Sequence, residues 1–257
     1  MLPEPTILAV LIVIAFLSGI GITAVGPGGI FITVALFALT DVSSSVVAGT
    51  AMTTFVFTGI LGSLTYLQSG ELRSSSGRRL AILVTVPSVV GAVVGALVNT
   101  ILSDGLFGLM LTGFTMVVGA SIVYRERQGI GSKWSFRADS TVGVVAFGTL
   151  GFAIGVLGGL LGVGGPVIAV PLLVVLGVSM LNALAAAQVQ SVFLSAFAAS
   201  TYLLQGAVSI PLAVAIGVPE LVGVVLGWRV AHHIEPARLK LALGGVLIMA
   251  GVALLLP

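Results

Sequence analysis

Apolar stretches of about 20 residues follow one another along nearly the whole chain, and this pattern restricts the fold more than any other feature. Only 7% of the 257 residues are charged, whereas a soluble domain carries about 25%. These side chains are too few to cover a surface that faces water. The apolar stretches also lack the alternating pattern of an outer-membrane barrel. The sequence therefore predicts an all-α polytopic membrane protein in the lipid bilayer.

The first apolar run and the charged residues restrict function further. Residues 7–21 lack a basic leading region and a small-residue cleavage site, so we predict a retained span rather than a signal peptide. The absence of cysteine excludes disulfides and thiolate chemistry. The net charge is +2, and the basic residues lie in a few loops, which favours a topology signal over a nucleic-acid-binding surface. We predict no nucleic-acid partner, no cofactor and no metal site.

Sequence matches in the same order indicate an internal duplication. The stretch 65–70 matches 201–206, and the same shift along the chain superimposes Gly28-Gly29 on Gly164-Gly165. We call this shift the repeat offset. A slightly shorter shift superimposes 86–98 on 218–230. We therefore predict a first repeat at 1–124, a cytoplasmic linker at 125–140 and a second repeat at 141–257.

Each repeat reads as five hydrophobic segments. We predict them at 6–25, 28–40, 44–66, 80–99 and 104–124 in the first repeat, and at 141–162, 164–178, 182–204, 208–230 and 238–256 in the second.

The basic loops predict opposite orientations for the two repeats. Arg and Lys cluster in residues 71–79, 125–137 and 229–240, and the positive-inside rule places all three loops in the cytoplasm. The second-repeat equivalent of 71–79 is the uncharged turn at Gln205-Gly206, so equivalent loops lie on opposite sides of the membrane. The repeats are therefore predicted to be inverted, with both termini extracytoplasmic. Inverted repeats are typical of secondary transporters, which bind substrate near the midplane.

Two glycine turns interrupt the apolar sequence at equivalent places, GPGG at 26–29 and GVGGP at 162–166. The helical stretches that follow them, 30–40 and 166–178, would cover less than about 20 Å of a hydrocarbon core of roughly 30 Å. We predict short, broken, re-entrant helices whose turns meet near the midplane.

The start of each short helix offers free backbone N–H groups and a partial positive charge, and both attract anions. The alternative is that the glycines allow close helix packing, which is our interpretation of the spaced pairs Gly91/Gly95, Gly155/Gly159 and Gly223/Gly227. The predicted anion contacts at the turns are Gly28, Gly29, Gly164 and Gly165, with Pro166 at the first helical position.

Polar side chains within the spans could complete the site. Thr50 and Thr54 share a helix face with Thr58, and Gln190 occupies the position equivalent to Thr54. The alternative is that such hydroxyls bond to their own helix. The predicted additional substrate-binding residues are Thr50, Thr54, Gln188, Gln190 and Ser191.

Glu220 lies in the middle of a predicted span, and no Lys or Arg occupies a span centre to pair with it. An intramembrane carboxyl group is a functional hypothesis by default, so we predict Glu220 as the proton-coupling candidate. The alternative is a neutral, hydrogen-bonded side chain that faces a cavity. No serine–base pair, HExxH motif, paired carboxylates or P-loop occurs. We predict no catalytic residues, and therefore neither an enzyme nor a self-contained primary pump.

Residues 155–191 resemble the TauE/SafE permease family of sulfite and organosulfonate exporters. The resemblance lies in a glycine-rich turn, a short helix with an internal proline and a small-residue helix start that bears a polar residue. These are Gly164, Gly165, Pro166, Pro171 and the ALAAAQ run at 183–188. The first repeat shows the pattern more loosely and lacks a proline equivalent to Pro171. The resemblance implies a plasma-membrane permease for small anions, usually sulfur-containing.

We therefore expect a secondary transporter for a small anion such as sulfite, a sulfonate or sulfoacetate, with proton coupling through Glu220 left open. The alternative is an anion channel of the same architecture. The expected partners of the protein are the small anionic substrate and the lipid bilayer. Whether the protein forms a homo-oligomer is left open.

Overall fold

The computed structural model describes residues 2–69, 72, 75–128, 140–233 and 236–255. Within these residues the structure is helical and contains no strand. The helices are α1 (Pro5–Ala24), α2 (Ile30–Leu39), α3 (Ser44–Ser69), α4 (Ser75–Asn99), α5 (Asp104–Arg127), α6 (Thr141–Leu161), α7 (Gly165–Val175), α8 (Met180–Leu204), α9 (Ile210–His233) and α10 (Pro236–Ala253), and a short 3-10 turn, Pro27–Gly29, precedes α2.

Seven of these helices, α1, α3, α4, α5, α6, α8 and α9, are long and apolar enough to cross a membrane. The helices α2 and α7 have only 10 and 11 residues, so each is about 15–17 Å long at the usual helical rise. A span needs about 20 residues. The prediction of a multi-pass, all-α membrane protein is confirmed, and the two segments predicted to be too short to span are short helices.

Local sequence signals explain where helices begin and end. Ser103 precedes α5 and its side chain accepts a hydrogen bond from Leu106 N at 3.3 Å, and Ser140 caps α6 in the same way through Gly143 N at 3.0 Å. Helix α6 ends at Gly162, whose φ of 67° lies in the left-handed region that glycine tolerates best. Ser103 and Ser140 therefore determine where α5 and α6 begin, and Gly162 determines where α6 ends.

Helices of the first half of the chain pack mainly against helices of the second half. Helix α4 packs along α6 of the second half, α9 packs along α1 of the first half, and α3 lies against α8. A Cβ on Gly91 of α4 would overlap the Phe152 carbonyl oxygen of α6, and a Cβ on Gly223 of α9 would overlap the Phe16 carbonyl oxygen of α1. Glycine at these positions therefore lets two helix backbones touch, as the packing interpretation of the spaced pairs requires.

Two tyrosines make the same hydrogen bond in each half. Tyr66 Oη donates to Thr23 O at 2.8 Å, and Tyr202 Oη donates to Gly159 O at 2.7 Å. The repeat offset carries both partners of the first bond onto those of the second. This agreement supports the duplication. The opposite membrane orientation of the repeats stays a prediction, and residues 129–139 of the predicted linker lie outside the described residues.

Candidate functional site

The two predicted glycine turns are sharp chain reversals in the structure. Gly26, between α1 and α2, has a φ of 108°, and Gly162, between α6 and α7, has a φ of 67°. Glycine adopts such positive φ values at little cost because it has no Cβ. Gly164 also has a φ of 67°. Glycine is therefore required by the backbone at both reversals.

The Phe55 ring of α3 lies between the two turns. A Cβ on Gly29 would be 3.1 Å from Phe55 Cζ, and a Cβ on Gly164 would be 3.1 Å from Phe55 Cδ2. The turns are also joined directly, because Thr33 of α2 donates its hydroxyl to the Gly162 carbonyl. The structure thus brings the two turns to one place, with an aromatic ring between them.

A small cavity of about 10 Å³ lies at this meeting point. That is about the space that one water molecule needs, and no sulfur oxyanion would fit. In this structure the cavity is closed to a ligand of that size. The cavity is lined by Ile22, Gly26, Gly29, Phe55, Thr58, Val163, Gly164, Pro166, Val167 and Ser191.

The start of α7 brings unsatisfied hydrogen-bond donors to this cavity. No side chain caps the helix, and its N-cap residue is Gly164. Among the described residues, the Gly164 N–H donates to no backbone carbonyl. The first N–H groups of a helix have no partner within it and the helix dipole is positive at this end, so a helix start of this kind attracts negative groups in general.

Gly165 and Gly28 have different surroundings. A Cβ on Gly165 would be 3.2 Å from both Ala187 O and Ser191 N of α8. Gly28 packs directly on α1, where a Cβ would overlap the backbone of Gly21, and its carbonyl accepts a hydrogen bond from Ser18 Oγ at 2.8 Å. Close packing therefore accounts for glycine at position 28, whereas Gly165 lies beside the cavity residue Ser191.

The two predicted glutamines, Gln188 and Gln190, are fully buried, and each donates a hydrogen bond to a different helix. Gln188 Nε2 is 3.3 Å from Ile22 O, and Gln190 Nε2 is 3.3 Å from Val84 O of α4. The Oε1 atom of each has no hydrogen-bond partner among the described residues. Gln188 therefore holds a residue that lines the cavity, whereas Gln190 fastens α8 to α4.

The predicted threonines lie away from the cavity. Thr50 Oγ1 accepts a hydrogen bond from Ser209 N at 3.0 Å, just before α9 begins. Thr54 Oγ1 donates to Ala51 O of its own helix at 3.0 Å, and its Cγ2 would be 3.3 Å from a Cβ on Gly217 of α9. Both side chains therefore join α3 to α9 rather than line the cavity.

Glu220 of α9 is 0% exposed, and neither carboxyl oxygen has a partner within hydrogen-bond distance in the described part of the chain. Thr54 of α3 packs against Gly217, which lies one helical turn before Glu220 on α9. On the other side, a Cβ on Gly19 of α1 would overlap the Glu220 carbonyl oxygen. Glu220 thus lies where α1, α3 and α9 meet, and it does not line the cavity between the turns.

Phe55 and Thr58 line the cavity but were not among the predicted contacts. Phe55 is 2% exposed. The repeat offset carries Phe55 onto Ser191, so these two cavity residues are equivalent in the two repeats. The offset could therefore have identified Phe55 from its partner. A phenylalanine in an apolar span otherwise carries no signal that separates it from a lipid-facing residue.

Comparisons with known proteins agree with this architecture. No solved structure matches the chain. The chain is 22% identical over 271 residues to the "Probable membrane transporter protein YunE" of Bacillus subtilis (strain 168), with 96% of each chain covered. The family described as "Sulfite exporter TauE/SafE" matches residues 10–254. This multi-pass membrane protein is thus a membrane transporter rather than an enzyme, and it belongs to the sulfite exporter TauE/SafE family.

Proposed function

We propose that the protein is a secondary transporter that carries a small sulfur-containing oxyanion, such as sulfite, a sulfonate or sulfoacetate. The observation that carries the proposal is the meeting of the two glycine turns at Phe55, beside the uncapped start of α7. The family description, with its sulfite exporters, favours this class of substrate.

The chemistry of the cavity favours an anion over a cation. Its polar side chains are Thr58, which donates its hydroxyl to Phe55 O of its own helix at 3.3 Å, and Ser191. No carboxylate lines it among the described residues. A carrier releases its substrate more readily from such neutral donors than from a buried Arg or Lys, because the donors attract the anion less strongly. Gly29, Gly164, Gly165, Pro166 and Ser191 form the proposed binding surface, and Gln188 supports it through Ile22.

Transport requires the closed cavity to enlarge toward each face in turn. The Phe55 ring separates Gly29 from Gly164, so one repeat has to move relative to the other to make space for substrate. Rocking of two inverted repeats about a fixed site is a common way to achieve such alternating access. We propose that the two hairpins, α1–α2 and α6–α7, move in this way.

Glu220 is the proposed proton carrier. The helices α1 and α3 that pack against it contain no charged residue, and Arg229 on its own helix is nine positions away. A carboxyl group buried in this way can exchange a proton with water only when the surrounding helices move apart. Because Thr54 joins α3 to α9 at this place, the same movement that opens the site would expose Glu220.

The decisive experiment is transport by the purified full chain in proteoliposomes. We expect saturable uptake of sulfite or an organosulfonate, acceleration by unlabelled substrate on the opposite side, and no comparable uptake of Na⁺. Counterflow is the signature of a carrier. Single-channel currents without counterflow would instead support an anion channel, and the absence of uptake for every sulfur oxyanion would contradict the proposed substrate class.

A further inference from the structure

A second, larger cavity lies where α5 ends and α10 begins, next to the predicted linker. Its volume is about 360 Å³, enough for a hydrated small anion. We call it the linker-face cavity. The residues that line it are Val25, Pro27, Ser121, Ile122, Arg125, Glu126, Val170, Pro171, Val174, Met180 and Lys240.

Charged side chains concentrate in this cavity. Arg125 Nη1 donates to Pro171 O of α7 at 3.0 Å, and Lys240 Nζ lies 3.2 Å from Glu126 Oε2. Among the described residues, two cations and one carboxylate line the cavity, which gives this part of the lining a net charge of +1. A guanidinium has about five N–H donors in a planar fork, so the bond to Pro171 leaves donors for a ligand.

The linker-face cavity adjoins the central cavity along two separate stretches of chain. In the first turn, Gly26 lines the central cavity while its neighbours Val25 and Pro27 line the linker-face cavity. In α7, Pro166 and Val167 line the central cavity, and Val170 and Pro171 line the other about one helical turn later. Because a Cβ on Gly26 would be 2.9 Å from Val170 Cβ, the two stretches touch and form the barrier between the cavities.

We infer that the linker-face cavity is a binding site for the transported oxyanion before it passes this barrier. Arg125 and Lys240 contact the anion, and Glu126 is a counter-charge that the anion displaces from Lys240. Arg125 also donates a hydrogen bond to Pro171 O of the short helix α7. An anion bound to the guanidinium therefore competes with the Pro171 carbonyl oxygen for Arg125. The inference rests on the proposed function, because it takes the cargo to be a small oxyanion.

The phosphate of a lipid headgroup presents the same oxyanion chemistry as a free anion. The test therefore uses purified full-length protein in two preparations, a neutral detergent and bilayers that contain phosphatidylglycerol. Binding of sulfite and of sulfate is measured by isothermal titration for the wild type and for the variants Arg125→Gln, Lys240→Gln and Glu126→Gln. The matched control is Arg127→Gln, which changes an exposed arginine on the same helix that does not line the cavity.

We expect Arg125→Gln and Lys240→Gln to weaken sulfite binding in detergent by about tenfold, because each removes a charge-assisted contact. Glu126→Gln is expected to strengthen binding severalfold, since Lys240 loses its competing partner, and Arg127→Gln is expected to leave affinity unchanged. The gain of affinity in Glu126→Gln cannot arise from misfolding. Equal affinities in all four variants would overturn the inference, as would an effect of Arg125 and Lys240 that appears only with phosphatidylglycerol.

Failure of this inference is distinguishable from failure of the proposed function. If the wild-type protein transports sulfur oxyanions but Arg125→Gln and Lys240→Gln retain its affinity and its KM, then only the linker-face cavity is excluded. If the wild type transports no oxyanion at all, the proposed function fails irrespective of these variants.

Discussion

At the scale of single residues, the site depends on an aromatic ring between two glycine turns. The Phe55 ring lies in the proposed substrate site, and a Cβ on either Gly29 or Gly164 would be only 3.1 Å from it, which leaves no room for larger side chains. Ser191, the equivalent residue in the second repeat, adds a hydroxyl to the same cavity. The two repeats thus contribute different chemistry at equivalent positions, so the site is asymmetric even though its backbone follows the repeat.

We expect Gly165→Val to lower oxyanion affinity by about tenfold or more, since displacement of backbone donors to a charged ligand costs about 1.5–3 kcal/mol. A Cβ there would press on Ala187 O and Ser191 N. Uptake in proteoliposomes is the measurement. Gly113→Val is the control, because a Cβ at Gly113 of α5 meets nothing within 4 Å. Wild-type uptake by a folded Gly165→Val protein would exclude this turn from the binding site.

For Glu220→Gln we expect loss of the additional accumulation that an imposed pH gradient drives, with substrate counterflow retained. Glutamine keeps the shape of the side chain but cannot release a proton. The comparison is uptake with and without a pH gradient, and Glu4→Gln is the control because Glu4 lies outside the spans, just before α1. An unchanged response to the gradient would rule out Glu220 as the proton carrier.

Sequence patterns predicted some of the residues that line this cavity, and the remainder depend on neighbours that no local pattern contains. Gly29 and Gly164 stand out because a glycine turn recurs at the same place in a duplicated, short segment. The packing of Gly28 against Gly21, and the hydrogen bond that Ser209 N donates to Thr50 just before α9, depend on which helices meet. Hydroxyl and amide side chains in a span look alike in sequence whether they bind cargo or fasten helices.

At the scale of helices, glycines determine which elements can approach. Gly91 and Gly95 of α4 lie against α6, and Gly155 of α6 lies against Ser88 of α4, with a Cβ at each overlapping a carbonyl oxygen of the partner. In a bilayer the hydrophobic effect does not drive helices together, so such close contact supplies packing energy instead. This interface therefore holds the first half of the chain to the second.

We expect Gly91→Leu to separate α4 from α6 and to lower stability by about 1–3 kcal/mol, the usual cost of overpacking. The measurement is the apparent Tm of the purified protein in detergent. Gly113→Leu should leave Tm unchanged, because its side chain would extend into open space. Equal Tm values for both variants would show that the glycine contact between α4 and α6 contributes little.

The predicted segments correspond to the helices, with differences at polar ends. The third segment was predicted to end at residue 66 and the fourth to begin at residue 80, whereas α3 continues to Ser69 and α4 begins at Ser75. Hydropathy detects only the residues that lie within the apolar core of the bilayer. It therefore misses polar helical turns that extend beyond that core. The start of α5, in contrast, was predicted correctly at residue 104, where Ser103 caps the helix.

At the scale of the whole molecule, pairs of helices from different halves build the structure. The contacts α1–α9, α4–α6 and α3–α8 all join the first half to the second, as does the pairing of α5 with α10. The repeat offset predicted equivalent elements, and the matched hydrogen bonds of Tyr66 and Tyr202 agree with it. The repeat offset could not predict which helices pack together, because it matches residues along the sequence and gives no positions in space.

The predicted inverted topology can be tested with single cysteines, because the natural chain has none. We expect Gln205→Cys to react with a membrane-impermeant maleimide in intact cells, since the α8–α9 turn is predicted outside. Gln128→Cys, at the predicted cytoplasmic end of α5, should react only after the cells are made permeable. Labelling of both cysteines from outside, or of neither, would contradict the inverted arrangement.

The pairing of α1 with α9 has a consequence for how the protein is made. Helix α1 is synthesised well before α9, but the surface that fits its Gly19 face belongs to α9. During translation α1 therefore lies in the lipid, or beside the insertion machinery, without α9 while the helices between them are inserted into the membrane. A ribosome that stops before α9 would leave α1 without its neighbour on the Gly19 face.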